Sequence, residues 1–237
     1  MPRFDAVLFD LDNTLCRHEQ SAETIYTGAF DRAGVEPFGE PDDLWQALDG
    51  DPDPHDPAGY LAAGFERIAA QYDETVDADA LAAGFLETVD YRAVSLLPGA
   101  ERALTAARDH APVGLVTNGP AYRQSVKVDA LGLADAFDVV VYAGDLPRRK
   151  PHPDPFDRAL SRLGVDATVS LYVGDSVEYD VVGASRAGLR VAWCPDSDGA
   201  SGYETGETPW PDGHRPDYVL DTLAGLVDVL DGPRHSR

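Results

Sequence analysis

The chain has 237 residues, enough for one domain with an insertion or for two modest domains. Acidic residues outnumber basic ones by 42 to 19, and the resulting charge of −23 repels nucleic acid and anionic lipid, so neither is an expected partner. No apolar run approaches the ~20 residues that span a bilayer, and the opening MPRFDAVLFD lacks a signal-peptide apolar region, so the expectation is a cytoplasmic protein.

The acids are spread along the chain instead of forming a tail, and Lys127 and Lys150 are its only lysines. That pattern fits adaptation to a saline cytoplasm, where an acidic, lysine-poor surface stays hydrated and screened, and it implies a salt-loving source. Cys16 and Cys194 lie far apart without metal-ligand spacing and are expected to be reduced thiols.

The first predicted element is a strand over Ala6–Phe9, a continuous apolar run suited to burial on both faces. It ends in Asp10-Leu11-Asp12-Asn13-Thr14, which places two carboxylates where open α/β sheets bind ligands. Residues 17–92 read as helices without a convincing strand. Ile25, Ala29, Phe30 and Ala33 keep helical spacing with Gly34 as a stop; Leu61 to Tyr72 and Leu81 to Val89 repeat it. The Asp49–Pro57 loop alternates acids like a calcium loop. Pro54 replaces the required glycine and Tyr60 the closing glutamate, which rejects that reading.

From Leu97 strands and helices alternate. Helices are expected from Pro98-Gly99, after Gly119 to about Leu131, over Pro155–Leu163 and to Ala187. Strands are expected at Pro112–Val116, Phe137–Tyr142, Val169–Val173, Leu189–Cys194 and Tyr218–Leu220, with a long Asp196–Pro216 loop and a closing helix to Leu230. The fold class is therefore α/β, a Rossmann-like, mainly parallel sheet flanked by helices, with an inserted all-α domain. Right-handed crossovers put every strand's C-terminal end on one side. Polar residues gather at those ends: Asp10 and Asp12, then Thr117 and Asn118, then Lys150 in LPRRKPHP, then Asp175 with Asp180 five residues on. Lys150 stands out in a chain with 17 arginines, because a compact ammonium is a point charge that a planar guanidinium does not replace.

The order and spacing of DLDNTL, VTN, KPHP and GDSVEYD resemble the haloacid dehalogenase superfamily, and within it the phosphatases with a helical cap inserted after the first motif. The resemblance runs from Phe4 to about Leu230. It implies a catalytic core of residues 1–16 and 93–237 and a cap of residues 17–92. By the same resemblance Asp10 is the nucleophile, Asp12 the acid and base, and Thr117, Asn118 and Lys150 bind the phosphoryl group. Asp10, the Asp12 carbonyl and Asp175 would ligate Mg2+, with Asp180 in support. The implied function is Mg2+-dependent hydrolysis of a small phosphorylated metabolite, of the phosphoglycolate, sugar phosphate or mononucleotide type, through an aspartyl-phosphate.

The charge supports the metal: four aspartates and a phosphate dianion face only Lys150. A phosphomutase keeps every motif. A 2-haloacid dehalogenase typically lacks an acid at the Asp12 position, and a non-catalytic protein of this fold would have a damaged motif. Tyr179 departs from the family, which often has Asn before the last aspartate, and Arg148 and Arg149 are read as offsetting local acid. Arg17, His18, Tyr26 and Trp45 are candidates for facing the substrate. The charge itself gives a test. Screening by molar KCl is expected to raise the thermal unfolding midpoint by several degrees over its value in dilute buffer. A calorimetric midpoint that stays level or falls with salt would contradict the saline reading.

Overall fold

A computed structural model describes residues 4–48, 56–195 and 210–232. The chain divides into two compact units, residues 1–17 with 94–237 and residues 18–93. No helix among the described residues is long and apolar enough to cross a membrane.

The first unit holds a six-stranded sheet of β1 (Ala6–Phe9), β4 (Val113–Thr117), β5 (Val139–Tyr142), β6 (Ser170–Gly174), β7 (Arg190–Trp193) and β8 (Tyr218–Val219). Its order is β5-β4-β1-β6-β7-β8, and every pairing is parallel. Alternate side chains serve the two faces. Val7, Phe9, Leu115 and Val173 join α5 (Ala100–His110), α6 (Ala121–Ala130) and α9 (Leu226–Asp231) in one core. Leu8, Val116, Tyr172 and Val191 join α7 (Asp154–Leu163) and α8 (Gly183–Arg186) in the other. Burial on both faces is why these strands are nearly unbroken apolar runs. The strand order reverses between β1 and β6, and the crevice at such a switch point is where doubly wound sheets bind ligands.

The second unit packs α1 (Ala22–Ala33), α2 (Pro41–Ala47), α3 (Pro57–Gln71) and α4 (Ala78–Thr88) around Tyr26, Phe30, Phe65 and Phe85. Ser21, Asp56 and Asp77 cap α1, α3 and α4 by accepting from Thr24, Gly59 and Ala80 N–H groups. Gly34 ends α1 at φ 68°, the left-handed geometry that favours glycine there.

Three local expectations change. Helix α2 has only seven residues, too few to establish a period, although Pro41 and two following acids mark its start. Arg17 and His18 belong to a three-residue strand, β2 (Cys16–His18), paired with β3 (Val94–Leu96), so the stretch after Cys16 is not wholly helical. The helix expected to run to Ala187 opens as a π-helical turn, Val177–Val182, before α8. Most of the rejected calcium loop (49–55) and of the long loop (196–209) lies outside the described residues. Cys16 and Cys194 are both free thiols.

Candidate active site

The site grows from the end of β1. Asp10 continues the ladder by donating its N–H to the Val173 carbonyl, and the chain then folds back tightly. Leu15 and Cys16 both donate to the Leu11 carbonyl, and Asn13 donates to Cys16 at φ 58°, a left-handed conformation that Asn tolerates better than most residues. This turn sends Asp10 and Asp12, two positions apart, to different partners.

Asp10 meets Lys150. The Lys150 ammonium is 2% exposed and donates to Asp10 Oδ1, Asp180 Oδ1 and the Tyr172 hydroxyl, each at 2.8 Å. Its main chain is held on both sides by one amide: Asn118 Nδ2 donates to the Lys150 carbonyl at 3.0 Å, and the Lys150 N–H donates to Asn118 Oδ1 at 2.9 Å. The Asn118 side chain thus helps to fix the lysine.

Asp180 is fully buried, and the π-helical turn aims it back at the sheet. Val181 donates to the Ser176 carbonyl five residues earlier, and the widened turn lets Asp180 Oδ2 accept the Ser176 N–H at 2.9 Å. A β-carbon on Gly174 would lie 2.4 Å from the Asp180 carboxyl carbon, so only glycine fits there. Tyr179 is exposed, and Asp180 is instead satisfied by Ser176, Tyr172 and Lys150. Asp175 Oδ1 accepts from the Thr14 hydroxyl at 2.7 Å, while the Asp175 carbonyl accepts from Trp193 Nε1 at 2.6 Å.

Asp12 has its own environment. Its Oδ1 accepts from Lys127 Nζ at 2.6 Å and its Oδ2 from Gln124 Nε2 at 2.8 Å. The same Gln124 nitrogen reaches Thr117 Oγ1 at 2.7 Å. The four motifs therefore form two linked groups, Asp10–Lys150–Asp175–Asp180 and Asp12–Thr117.

The electrostatics separate the two aspartates. Burial, reinforced by Asp180 and Asp175, pushes the Asp10 carboxyl up to about 8 against the pull of Lys150. Burial and Asp180 raise Asp175 to about 6. For Asp12 burial also acts upward, but Lys127, Gln124 and Arg123 outweigh it and hold the carboxyl below its ordinary value. Lys150 is raised, since Asp10 and Asp180 outweigh the cost of its burial. One oxygen each from Asp10, Asp175 and Asp180 lies within 4.8 Å of the others. An all-oxygen donor set with excess negative charge fits a hard divalent cation.

A family model for haloacid dehalogenase-like hydrolases matches residues 4–188. The chain belongs to that family. The pyrimidine 5'-nucleotidase YjjG of Escherichia coli is 33% identical over 56% of this chain and 56% of its own length, so the match spans little more than half of that relative. The ribulose-1,5-bisphosphate 5-phosphatase of Halopiger xanaduensis is 29% identical over 95% of this chain and 98% of its own. The fold is similar to that of the magnesium-bound HAD hydrolase YfnB from Bacillus subtilis, with a TM-score of 0.72 at 21% identity over 97% and 99% of the two chains.

Four contributors went unassigned in the sequence. Thr14 lies inside the first motif. Tyr172 interrupts an apolar strand, and a buried tyrosine hydroxyl needs a partner. Gln124 and Lys127 are three apart on α6, hence on one face, and Lys127 shares the rarity that singled out Lys150. The charge count changes accordingly: two ammonium groups, not one, face the four aspartates. Of the candidates for substrate contact, Tyr26 is buried in the helical unit with its hydroxyl on the Phe38 carbonyl, and Trp45 is half exposed against Phe85. Arg148 pairs with Asp154. Removing the central cation should be severe: Lys150→Met in EDTA is expected to cost about 3–5 kcal/mol, because it strands buried carboxylates. Urea unfolding within 1 kcal/mol of the parent would contradict that account.

Proposed function

We propose that the protein is a Mg2+-dependent phosphomonoesterase acting on a small phosphorylated metabolite of the phosphoglycolate, sugar phosphate or mononucleotide type. The observation that carries the reading is the separation of Asp10 from Asp12, one held by Lys150 beside two further carboxylates, the other held by Lys127 and Gln124. Two carboxylates in contrasting environments suit two separate duties. The nucleotidase and bisphosphatase relatives add support, as both names describe removal of a phosphoryl group.

In this mechanism a phosphate ester lies against Thr117, and Lys150, whose three N–H groups are already donated, acts on it through its charge. Thr117 Oγ1 accepts from Gln124, which leaves its hydroxyl proton to donate to a phosphoryl oxygen. Asp10 attacks phosphorus through one carboxylate oxygen, the bond to the leaving oxygen breaks, and Asp12 gives that oxygen the proton it took from water at the end of the preceding turnover. Asp12 then takes a proton from water, the water oxygen bonds to phosphorus, and the Asp10–phosphorus link breaks to release inorganic phosphate. Lys150 orients Asp10 throughout and offsets charge on the phosphoryl oxygens. Asp10, Asp175 and the Asp12 carbonyl are the residues that would hold Mg2+; both oxygens of Asp180 already accept hydrogen bonds, which suits it to support. The bound cation supplies the positive charge that phosphoryl transfer needs and that two ammonium groups leave short. Residues 18–93 would serve as the cap that selects the leaving group.

The test is phosphate release from p-nitrophenyl phosphate in molar KCl. Release is expected to need added Mg2+, to stop with EDTA, and to fall at least about a thousandfold in Asp10→Asn. A folded parent protein that releases no phosphate from this ester or from a panel of natural ones would sink the proposal; transfer to a sugar without release would make it a mutase.

A further inference from the structure

Lys127 takes no step in the reaction scheme above, and Gln124 enters it only through Thr117. Lys127 is one of two lysines in the chain and is 6% exposed on α6, with its ammonium on Asp12 Oδ1. Gln124 is fully buried, and one nitrogen joins Asp12 Oδ2 to Thr117 Oγ1. Its carbonyl oxygen, by contrast, is buried and has no hydrogen-bond partner among the described residues. Turning the amide over would aim that oxygen at the Asp12 carboxylate, acceptor against acceptor. A buried orphan acceptor is unfavourable, so the arrangement trades stability for two directed N–H donors. Room for it is also specific: a β-carbon on Gly119 would lie 2.5 Å from the Gln124 Cγ and Cδ atoms.

We infer that Lys127 and Gln124 are positioning residues that hold the Asp12 carboxylate as proton acceptor for the second half of the reaction. Each Asp12 oxygen already accepts one N–H, so the group is fixed in orientation, while each oxygen keeps a lone pair for an incoming proton. The Asp12 side chain remains 43% exposed, so the fixed carboxylate still faces outward to where water can reach it. In the step served, the water O–H bond breaks and its proton goes to Asp12. The water oxygen bonds to phosphorus, and the electron pair of the phosphorus–oxygen link returns to Asp10. The inference rests on the phosphomonoesterase reading.

p-Nitrophenyl phosphate separates the two halves, because nitrophenolate departs without a proton and only the hydrolysis of the aspartyl-phosphate then needs Asp12. In Lys127→Met, kcat is expected to fall about a hundredfold, with KM falling alongside it so that kcat/KM changes far less. Rapid mixing should give a nitrophenolate burst approaching one per active site. Lys127→Arg, which keeps a charged donor, should recover most of kcat and lose the burst. Gln124→Met should show the same signature more weakly, and it decides the matter if Lys127→Met does not fold. Parallel loss of kcat and kcat/KM without a burst, or no loss at all, overturns the positioning role and leaves the phosphatase reading standing. A parent enzyme whose nitrophenolate release does not depend on Asp10 overturns that reading, and the inference with it.

Discussion

One ammonium among three carboxylates organises the core unit. The Lys150 nitrogen has three oxygen partners at the same 2.8 Å separation, supplied by the end of β1, the body of β6 and the turn after it. Such convergence suits a compact ammonium and would not suit a planar guanidinium. The surrounding structure serves it: Asn118 brackets its main chain from the end of β4, and Gly174 stays bare so that Asp180 can close in. Balance is incomplete: burial raises Asp10 and Asp175, and the neighbouring carboxylates add to it.

A tight turn provides the second half of the design. Had the strand continued past Phe9, Asp10 and Asp12 would have shared one side of the sheet and one electrostatic environment. The Asn13 turn instead delivers Asp12 to α6, where Lys127 lowers its carboxyl while Asp10 is raised. Two residues of chain separate an acid rich in negative neighbours from one paired with its own cation.

The sequence announced the sheet because both faces of a parallel strand are buried, so β1 and β4 are apolar until the moment they end. It also announced the carboxylates, since acids at those ends have no structural reason to be there. It could not announce α2 or β2, which are shorter than any period, nor the π-helical turn, which differs from an α-helix by one residue per turn. The partner of Lys127 is hidden in the sequence for a different reason. A lysine on a helix is ordinarily solvated, and only the packing of α6 against the end of β1 reveals that this one is not. Gln124 carries no charge and no motif; its role exists only in three dimensions.

The placement of the lysines has a consequence for handling the molecule. Both side-chain amines of the chain lie inside the core unit, 6% and 2% exposed, and each is engaged with carboxylate. The folded surface therefore offers no free lysine to acylating or cross-linking reagents. Acylation at either lysine would instead act as a clock for opening of the core, with the Lys127 and Lys150 rates reporting separately on the two halves of the site.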